Sequence, residues 1–171
     1  MKMNSSTTLV LNAQQMEQKL CRMAWEVLEK NHQESHIVIA GISPKGSILA
    51  QRLSKYLSHI SSILVEVIEV KLDKVNPLSS PVQVSAHSEL NDKVVVLVDD
   101  VLKSGKTLMY GAQYFLNQPI KKLMTAILID RNYKTYPIKA DVVGLSLATT
   151  LQEHVNVCLL YTSPSPRDRV L

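Results

Sequence analysis

The sequence has few aromatic residues and few cysteines. One Trp and one Phe stand among 171 residues, whereas Val, Ile and Leu are frequent, and that bias favours a parallel sheet buried on both faces. The cysteines, Cys21 and Cys158, lie far apart and fit no metal-ligand spacing. A single disulfide between them is conceivable, but we interpret them as two buried free thiols.

Long apolar runs are also absent. No segment approaches the roughly 18 apolar residues of a membrane-spanning helix. The start, MKMNSSTTLVLNAQQ, lacks the apolar centre of a secretory signal. The five histidines show no ligand spacing, so none is assigned to a metal. We therefore expect a cytoplasmic protein without membrane contact, and the net charge of +4 suits a polyanionic ligand such as a phosphorylated sugar or RNA.

Length and composition predict one domain, over residues 1–160. The last segment, YTSPSPRDRVL (161–171), breaks the pattern of apolar elements with two prolines and alternating serines. We interpret it as a disordered tail or as sequence foreign to the parent protein.

Hydrophobic periodicity predicts strands that alternate with helices, hence an α/β fold with a mostly parallel sheet. The predicted helices are Asn12–Asn31, counting its cap, Ser47–Leu57 and Thr107–Asn117. The predicted strands are Ser35–Ala40, Ile63–Val70, Lys93–Val98, Leu123–Ile129, Asp141–Gly144 and Val155–Leu160. The stretch Lys71–Asp92 has two prolines, four serines and no clear period, which predicts a long loop or a loose hairpin able to act as a lid.

The loop after strand Lys93–Val98 carries the strongest functional signal. Asp99 and Asp100 follow the strand, and Lys-Ser-Gly-Lys-Thr leads into the next helix. Gly105 permits close backbone approach, and the helix amides with the Ser104 and Thr107 hydroxyls suit a phosphate monoester. The paired carboxylates would repel a phosphate, so they should face ribose hydroxyls and the hydration shell of a Mg²⁺ ion. A Walker A interpretation fails because the spaced Gly-x-x-x-x-Gly is missing.

The segment VVVLVDDVLKSGKT resembles the 5-phosphoribosyl-1-pyrophosphate (PRPP) signature of type I phosphoribosyltransferases. The resemblance implies that family's fold: a mostly parallel central sheet flanked by helices, with a flexible lid loop. It also implies Mg²⁺, a homodimer or homotetramer, and a PRPP site made of Asp99, Asp100, Val101, Lys103, Ser104, Gly105, Lys106 and Thr107.

A second loop, GISPKG, also lies between a strand and a helix. As a bare motif it is typical of a structural turn. Beside the signature it resembles the family's pyrophosphate loop, which would consist of Ser43, Pro44, Lys45 and Gly46.

More of the chain resembles one branch of the family, the pyrimidine operon attenuator that doubles as a uracil phosphoribosyltransferase. The similarity runs from about Leu9 to Val157 and includes LCRMAWEVLEKN, IAGISPKGSILAQRL and AILIDRNYKTYPIKADVVG. It implies that Ile129, Asp130 and Arg131 lie beside the nucleobase.

This chain departs from its relatives at four places. Lys103 stands where purine-salvage members carry an Asp general base, and the lid offers Lys71 and Lys74 in place of the branch's arginine. On the segments that bind RNA in the attenuator, Trp25 and Tyr133 replace histidines. Arg22, Arg131, Lys134 and Lys139 keep positive charge there, although we favour the interpretation of the lysines as a solvated surface.

The resemblance implies transfer of ribose 5-phosphate from PRPP to a nucleobase, most simply uracil. Asp100, Lys45 and Lys74 are the expected catalytic residues, and Asp99 and Asp100 would orient Mg²⁺ through water. Three alternatives stay open: an RNA-binding regulator that senses PRPP or a nucleotide, a purine salvage enzyme, and an inactive partner subunit.

Overall fold

The computed structural model describes residues 7–148 and 154–159. Within them the helices are α1 (Ala13–Lys30), α2 (Lys45–Ile60) and α3 (Lys106–Leu116). The strands are β1 (His36–Ile42), β2 (Leu64–Lys71), β3 (Gln83–Val84), β4 (Val94–Leu102), β5 (Lys122–Asp130) and β6 (Val142–Ser146). The predicted alternation of strands and helices is confirmed.

The strands form one sheet in the order β3-β2-β1-β4-β5-β6. All neighbouring pairs are parallel except β2 with β3, which pair antiparallel through Val70–Val84 and Lys71–Gln83. The stretch Lys71–Asp92 is therefore a loose hairpin, one of the two forms that the sequence predicts for it.

Two apolar clusters cover the two faces of the sheet. One contains side chains of α1 and α2 and the other those of α3, so the sheet is buried on both faces. The central strand β4 is accordingly a continuous apolar run rather than an alternating one, with Val94 through Val98 all buried. The residues that α1 and α2 bury against the sheet recur at helical spacing and include Leu20, Met23, Val27, Leu49, Leu53 and Leu57.

Several predicted boundaries are wrong. Strand β4 continues through the acid pair to Leu102 instead of ending at Val98, because β5 pairs with it as far as Leu102–Asp130. Helix α2 begins at Lys45 rather than Ser47. Residues 154–159 have alternating burial but no ladder, so the predicted strand Val155–Leu160 is not observed over its described part.

The cysteine interpretation is half right. Both thiols are free, but Cys21 is half-buried and Cys158 is exposed. Leu160 and the tail 161–171 lie outside the described residues. None of the helices in the described ranges combines the length and apolarity needed to cross a bilayer.

Candidate active site

The order of the strands creates a crevice between β1 and β4. The chain leaves β1 through α2 towards β2 on one side, and leaves β4 through α3 towards β5 on the other. Ligands of open α/β sheets bind at such a switch point, beyond the carboxyl ends of the strands. Both functional loops predicted from the sequence end there.

The acid pair occupies the carboxyl end of β4. Asp99 is 3% exposed and Asp100 is 9% exposed. Burial raises the pKa of Asp99 to about 7, and the neighbouring Asp100 carboxylate adds to the rise, while the Lys74 ammonium opposes it. Lys74 Nζ lies 3.2 Å from Asp99 Oδ1, and the Asp100 amide donates to the same oxygen at 2.9 Å. Two crowded carboxyls held this way favour an electropositive or hydroxylic partner.

The Ser104–Thr107 loop presents a helix end without a side-chain cap. Gly105, the N-cap of α3, has a φ of +88°, a conformation that favours glycine. The Lys106 amide donates to Ser104 Oγ at 3.2 Å. By contrast, α1 has a complete capping box between Asn12 and Gln15. Apart from the Lys106 amide, the first turn of α3 has no side-chain cap, so its other amides can bind an anion.

The loop Ser43–Gly46 lies against the acid pair. Its Ser43–Pro44 peptide bond is cis, and α2 begins directly after Pro44, again with no side-chain cap. A Cβ on Gly46 would sit 2.6 Å from the Val98 carbonyl oxygen and 3.3 Å from Asp99 Oδ1. Only glycine permits this approach, so the glycine brings the predicted pyrophosphate loop and the signature strand together.

The predicted nucleobase segment closes the other side of the signature loop. Ile129, Asp130 and Arg131 are all buried, and the Arg131 amide donates to the Leu102 carbonyl at 3.0 Å. Asp130 Oδ1 accepts the Asn132 amide at 2.9 Å. The amides of residues 135 and 136 both donate to the Ser104 carbonyl, at 2.9 and 3.0 Å. This segment is thus fixed beside the Ser104–Thr107 loop.

The two lid lysines have different partners. Lys74 reaches the buried Asp99, whereas Lys71 Nζ lies 3.8 Å from Glu69 at the protein surface. Of the two, the structure brings only Lys74 to the acid pair.

Two polar residues that the sequence patterns did not single out hold the Ser43–Gly46 loop. Asn156 Oδ1 accepts a hydrogen bond from Lys45 Nζ at 2.6 Å, and Glu69 Oε1 accepts one from Ser43 Oγ at 2.7 Å. The first contact spans 111 residues and the second 26, so no local motif could have found them.

A magnesium ion at the acid pair would need a bound polyphosphate to help hold it. Within 7–148 and 154–159, no three His, Cys, Asp or Glu side chains are grouped to bind a metal. The acid pair supplies two carboxylates, which suits an ion that keeps waters and is held mainly by a polyphosphate. The donor set fits the indirect magnesium contact that the resemblance implies for Asp99 and Asp100.

A cavity of about 330 Å³ lies elsewhere, between lid residues 77–82 and the side chains of Tyr110 and Gln113. None of the predicted site residues lines it, so we place the site at the crevice instead.

Arg22, predicted to face RNA, bonds to its own protein. Its guanidinium contacts Glu26 and donates to the carbonyls of Val143 and Gly144 at 3.1 and 2.6 Å. Trp25 is half-exposed and Tyr133 is 38% exposed.

Known proteins are similar to this chain in sequence and in fold. A family model for the phosphoribosyl transferase domain matches residues 6–162. The bifunctional protein PyrR of Alkaliphilus metalliredigens is 36% identical over 160 residues, covering 88% of this chain and 87% of that protein. The bifunctional protein of the same name from Enterococcus faecalis is 34% identical over 159 residues, with 86% and 87% covered.

Solved structures show the same fold at low identity. A hypoxanthine-guanine phosphoribosyltransferase from Bacillus anthracis superimposes with a TM-score of 0.70 at 18% identity, covering 82% of each chain. The hypoxanthine phosphoribosyltransferase of Trypanosoma cruzi gives a TM-score of 0.72 at 13% identity, with 83% of this chain and 82% of that one covered. Together with the sequence matches, these similarities show that the chain belongs to the type I phosphoribosyltransferase family, with bifunctional PyrR proteins among its relatives.

Proposed function

We propose that this phosphoribosyltransferase transfers ribose 5-phosphate from PRPP to uracil, giving UMP and pyrophosphate. One observation carries the proposal: α2 and α3 both begin without a side-chain cap beside the buried acid pair at one crevice. Two helix ends suit two phosphate groups, and the acid pair between them suits a diol. PRPP has that layout.

In this proposal the signature loop binds the sugar phosphate. The amides and hydroxyls of Ser104–Thr107 hold the 5′-phosphate, with the exposed Lys103 and the half-buried Val101 at the edge of the site. Asp99 and Asp100 accept hydrogen bonds from the ribose hydroxyls. When PRPP binds, its ribose hydroxyls would donate hydrogen bonds to the same Asp99 oxygens that Lys74 contacts. Lys74 would therefore move away from Asp99.

The reaction exchanges one bond at the anomeric carbon for another. The bond from that carbon to the pyrophosphate oxygen breaks, and its electron pair stays with the leaving pyrophosphate. The bond to N1 of uracil forms, and the N1 proton passes to the pyrophosphate or to solvent. The sugar passes through a cationic state that the Asp100 carboxylate stabilises, while Lys45 and Lys74 stabilise the charge on the leaving pyrophosphate. Mg²⁺, held by the pyrophosphate and oriented by Asp99 and Asp100 through water, would neutralise further negative charge.

The lid would exclude water during transfer. Strand β3 anchors the hairpin to β2, so residues 72–82 form the part that is free to close. Closure would protect the donor from hydrolysis and bring Lys74 to the pyrophosphate.

Uracil is favoured over a purine by the relatives and by one residue. The PyrR proteins match at 30–36% identity over most of the chain, whereas the purine enzymes match in fold at 13–18%. Lys103, where purine-salvage relatives carry an Asp, is exposed, and its ammonium cannot replace a carboxylate as a hydrogen-bond acceptor.

RNA binding is the second candidate function, because the relatives are named bifunctional. Exposed Trp25 and Tyr133 could stack on unpaired bases, although Arg22 is engaged within the protein. A gel shift with a pyrimidine-operon leader RNA that weakens steeply with salt would support it.

We also propose, as for relatives of this family, one domain over residues 1–160 that assembles as a homodimer or homotetramer in the cytoplasm.

The experiment is a radiolabelled transfer assay with Mg²⁺, PRPP and uracil, hypoxanthine, guanine or orotate in separate tubes. We expect UMP as the main product. A purine nucleotide as the main product would move the enzyme to purine salvage. No product from any base, with PRPP binding intact by calorimetry, would favour the regulator.

A further inference from the structure

We propose that Asn156 is a positioning residue that holds Lys45 in place for the pyrophosphate group, an inference that rests on the proposed function. No recognised motif includes Asn156, and it lies near the far end of the described chain. Its amide oxygen accepts a hydrogen bond from Lys45 Nζ at 2.6 Å.

The backbone around Asn156 is fixed by its neighbours. Residues 154–159 alternate between exposed and buried side chains, and Val157 and Leu159 are 5% and 2% exposed. Both belong to the apolar cluster that contains Leu49 and Leu53 of α2. Since α2 also begins with Lys45, one core positions the donor and the acceptor of the hydrogen bond.

The chemistry of the acceptor explains why an amide suits this position. A lysine side chain has many rotamers, and an acceptor that fixes its ammonium reduces the ordering needed when a ligand binds. A carboxylate would fix it equally well but would cancel the charge that attracts pyrophosphate. The neutral amide orients Lys45 and leaves its full positive charge to the ligand.

The neighbouring contacts support this division of roles. Ser43 of the same loop donates a hydrogen bond to the Glu69 carboxylate. Because Ser43 is uncharged, this contact cancels no positive charge at the site. Lys74 and Lys45 therefore differ: Lys74 contacts the Asp99 carboxylate, whereas Lys45 contacts a neutral amide.

The test measures affinity for Mg²⁺-pyrophosphate by calorimetry in Asn156→Ala, Asn156→Asp, Lys45→Ala and the two double variants. We expect Asn156→Ala to weaken binding about threefold to tenfold. Asn156→Asp, which keeps the shape, should weaken it by about tenfold or more, and added salt should reduce the difference. Asn156→Ala should not change affinity further when Lys45 is already Ala, whereas Asn156→Asp should then keep only the direct, salt-sensitive repulsion between its carboxylate and pyrophosphate. Cys158→Ala, on the same exposed face of the segment, is the matched control and should bind like wild type.

Kinetic measurements distinguish the loss of Lys45 positioning from a general loss of protein structure. The KM for PRPP should rise in both Asn156 variants, while the KM for uracil and the melting temperature stay near those of wild type. Equal losses with and without Lys45, or an Asn156→Asp variant that binds as tightly as wild type, would overturn the assignment. If wild type binds pyrophosphate with this coupling but forms no UMP, the transferase proposal fails and the Asn156 assignment stands. If wild type binds no pyrophosphate, both fail.

Discussion

At the scale of single residues, the site depends on close backbone contacts that only glycine permits. Gly46 faces the Val98 carbonyl and the Asp99 backbone, neither of which can move without disturbing β4. Gly111 in α3 is different, because its nearest neighbour is the flexible end of the Ile42 side chain, at 3.1 Å.

The first prediction compares these glycines. Gly46→Ala should destabilise the fold by about 1–3 kcal/mol and weaken PRPP binding, because the methyl group would push the pyrophosphate loop away from the acid pair. Gly111→Ala should be neutral or stabilising by less than about 1 kcal/mol, since alanine is the better helix former. Chemical denaturation and calorimetry measure both, and equal effects of the two variants would contradict the account.

The second prediction concerns the buried acid. The pKa of Asp99 is raised to about 7, so its stabilising contribution, relative to the unfolded chain, is full below about pH 4 and is lost as the pH rises through about 7. Asp99→Asn keeps the oxygen that accepts the Asp100 amide and removes this loss. The variant's stability relative to wild type should therefore increase on the order of 2 kcal/mol between about pH 5 and about pH 8.

Asp73→Asn provides a control of opposite sign. The amides of Asn76 and Val75 hold the pKa of the exposed Asp73 below its ordinary value, so its contribution is present at neutral pH and lost as the pH falls. That variant should lose stability at about pH 8 relative to wild type. Denaturant midpoints of wild type, Asp99→Asn and Asp73→Asn at about pH 5 and about pH 8 test both expectations. If the stability of Asp99→Asn changes with pH in parallel with that of wild type, the argument that Asp99 has a raised pKa is refuted.

Sequence reasoning found the residues that lie in one continuous motif and missed those that act across the fold. Asp99 through Thr107 stand together in the chain, so their joint chemistry can be read directly. Asn156 and Glu69 reach the pyrophosphate loop only after folding, from an otherwise ordinary segment and strand. The choice between Lys71 and Lys74 as the lysine at the acid pair likewise required the distances from each ammonium to its carboxylate partner.

At the scale of elements, tertiary contacts override local sequence preference in two places. Aspartate is unfavourable in strands, which made an end of β4 at Val98 the natural prediction. Pairing of Val101 and Leu102 with β5 extends the strand through both acids and fixes their orientation. Conversely, residues 154–159 have the alternation of a strand but no ladder, because burial against a core can produce the same period as pairing.

The third prediction concerns the lid. Lys74→Ala should lower kcat/KM about tenfold to a hundredfold, because Lys74 reaches the acid pair and would stabilise the leaving group. Lys71→Ala should change it by less than about twofold, since Lys71 pairs with Glu69 at the surface. Steady-state kinetics with uracil as acceptor separate the two, and the reverse ranking would show that the lid closes with Lys71 at the site.

At the scale of the whole molecule, the order of strands creates the site. Alternating strands and helices predicted the parallel sheet, but the buried strands β1, β4 and β5 all have mainly apolar interiors, and periodicity does not determine which of them are neighbours. The resemblance to the phosphoribosyltransferase family implied a mostly parallel central sheet, and the observed order places β1 beside β4. Both helix ends and both acids therefore meet at one crevice.

The central claim is that this crevice performs the transfer, and the rate of UMP formation in Asp100→Asn tests it most directly. Asp92→Asn is the matched control: Asp92 precedes the opposite end of β4 and has a φ of 56°, a conformation that asparagine adopts readily. We expect the rate to fall by about a hundredfold or more in Asp100→Asn and to stay within about twofold of wild type in Asp92→Asn. An Asp100→Asn variant that forms UMP at the rate of wild type would show that the transfer takes place elsewhere.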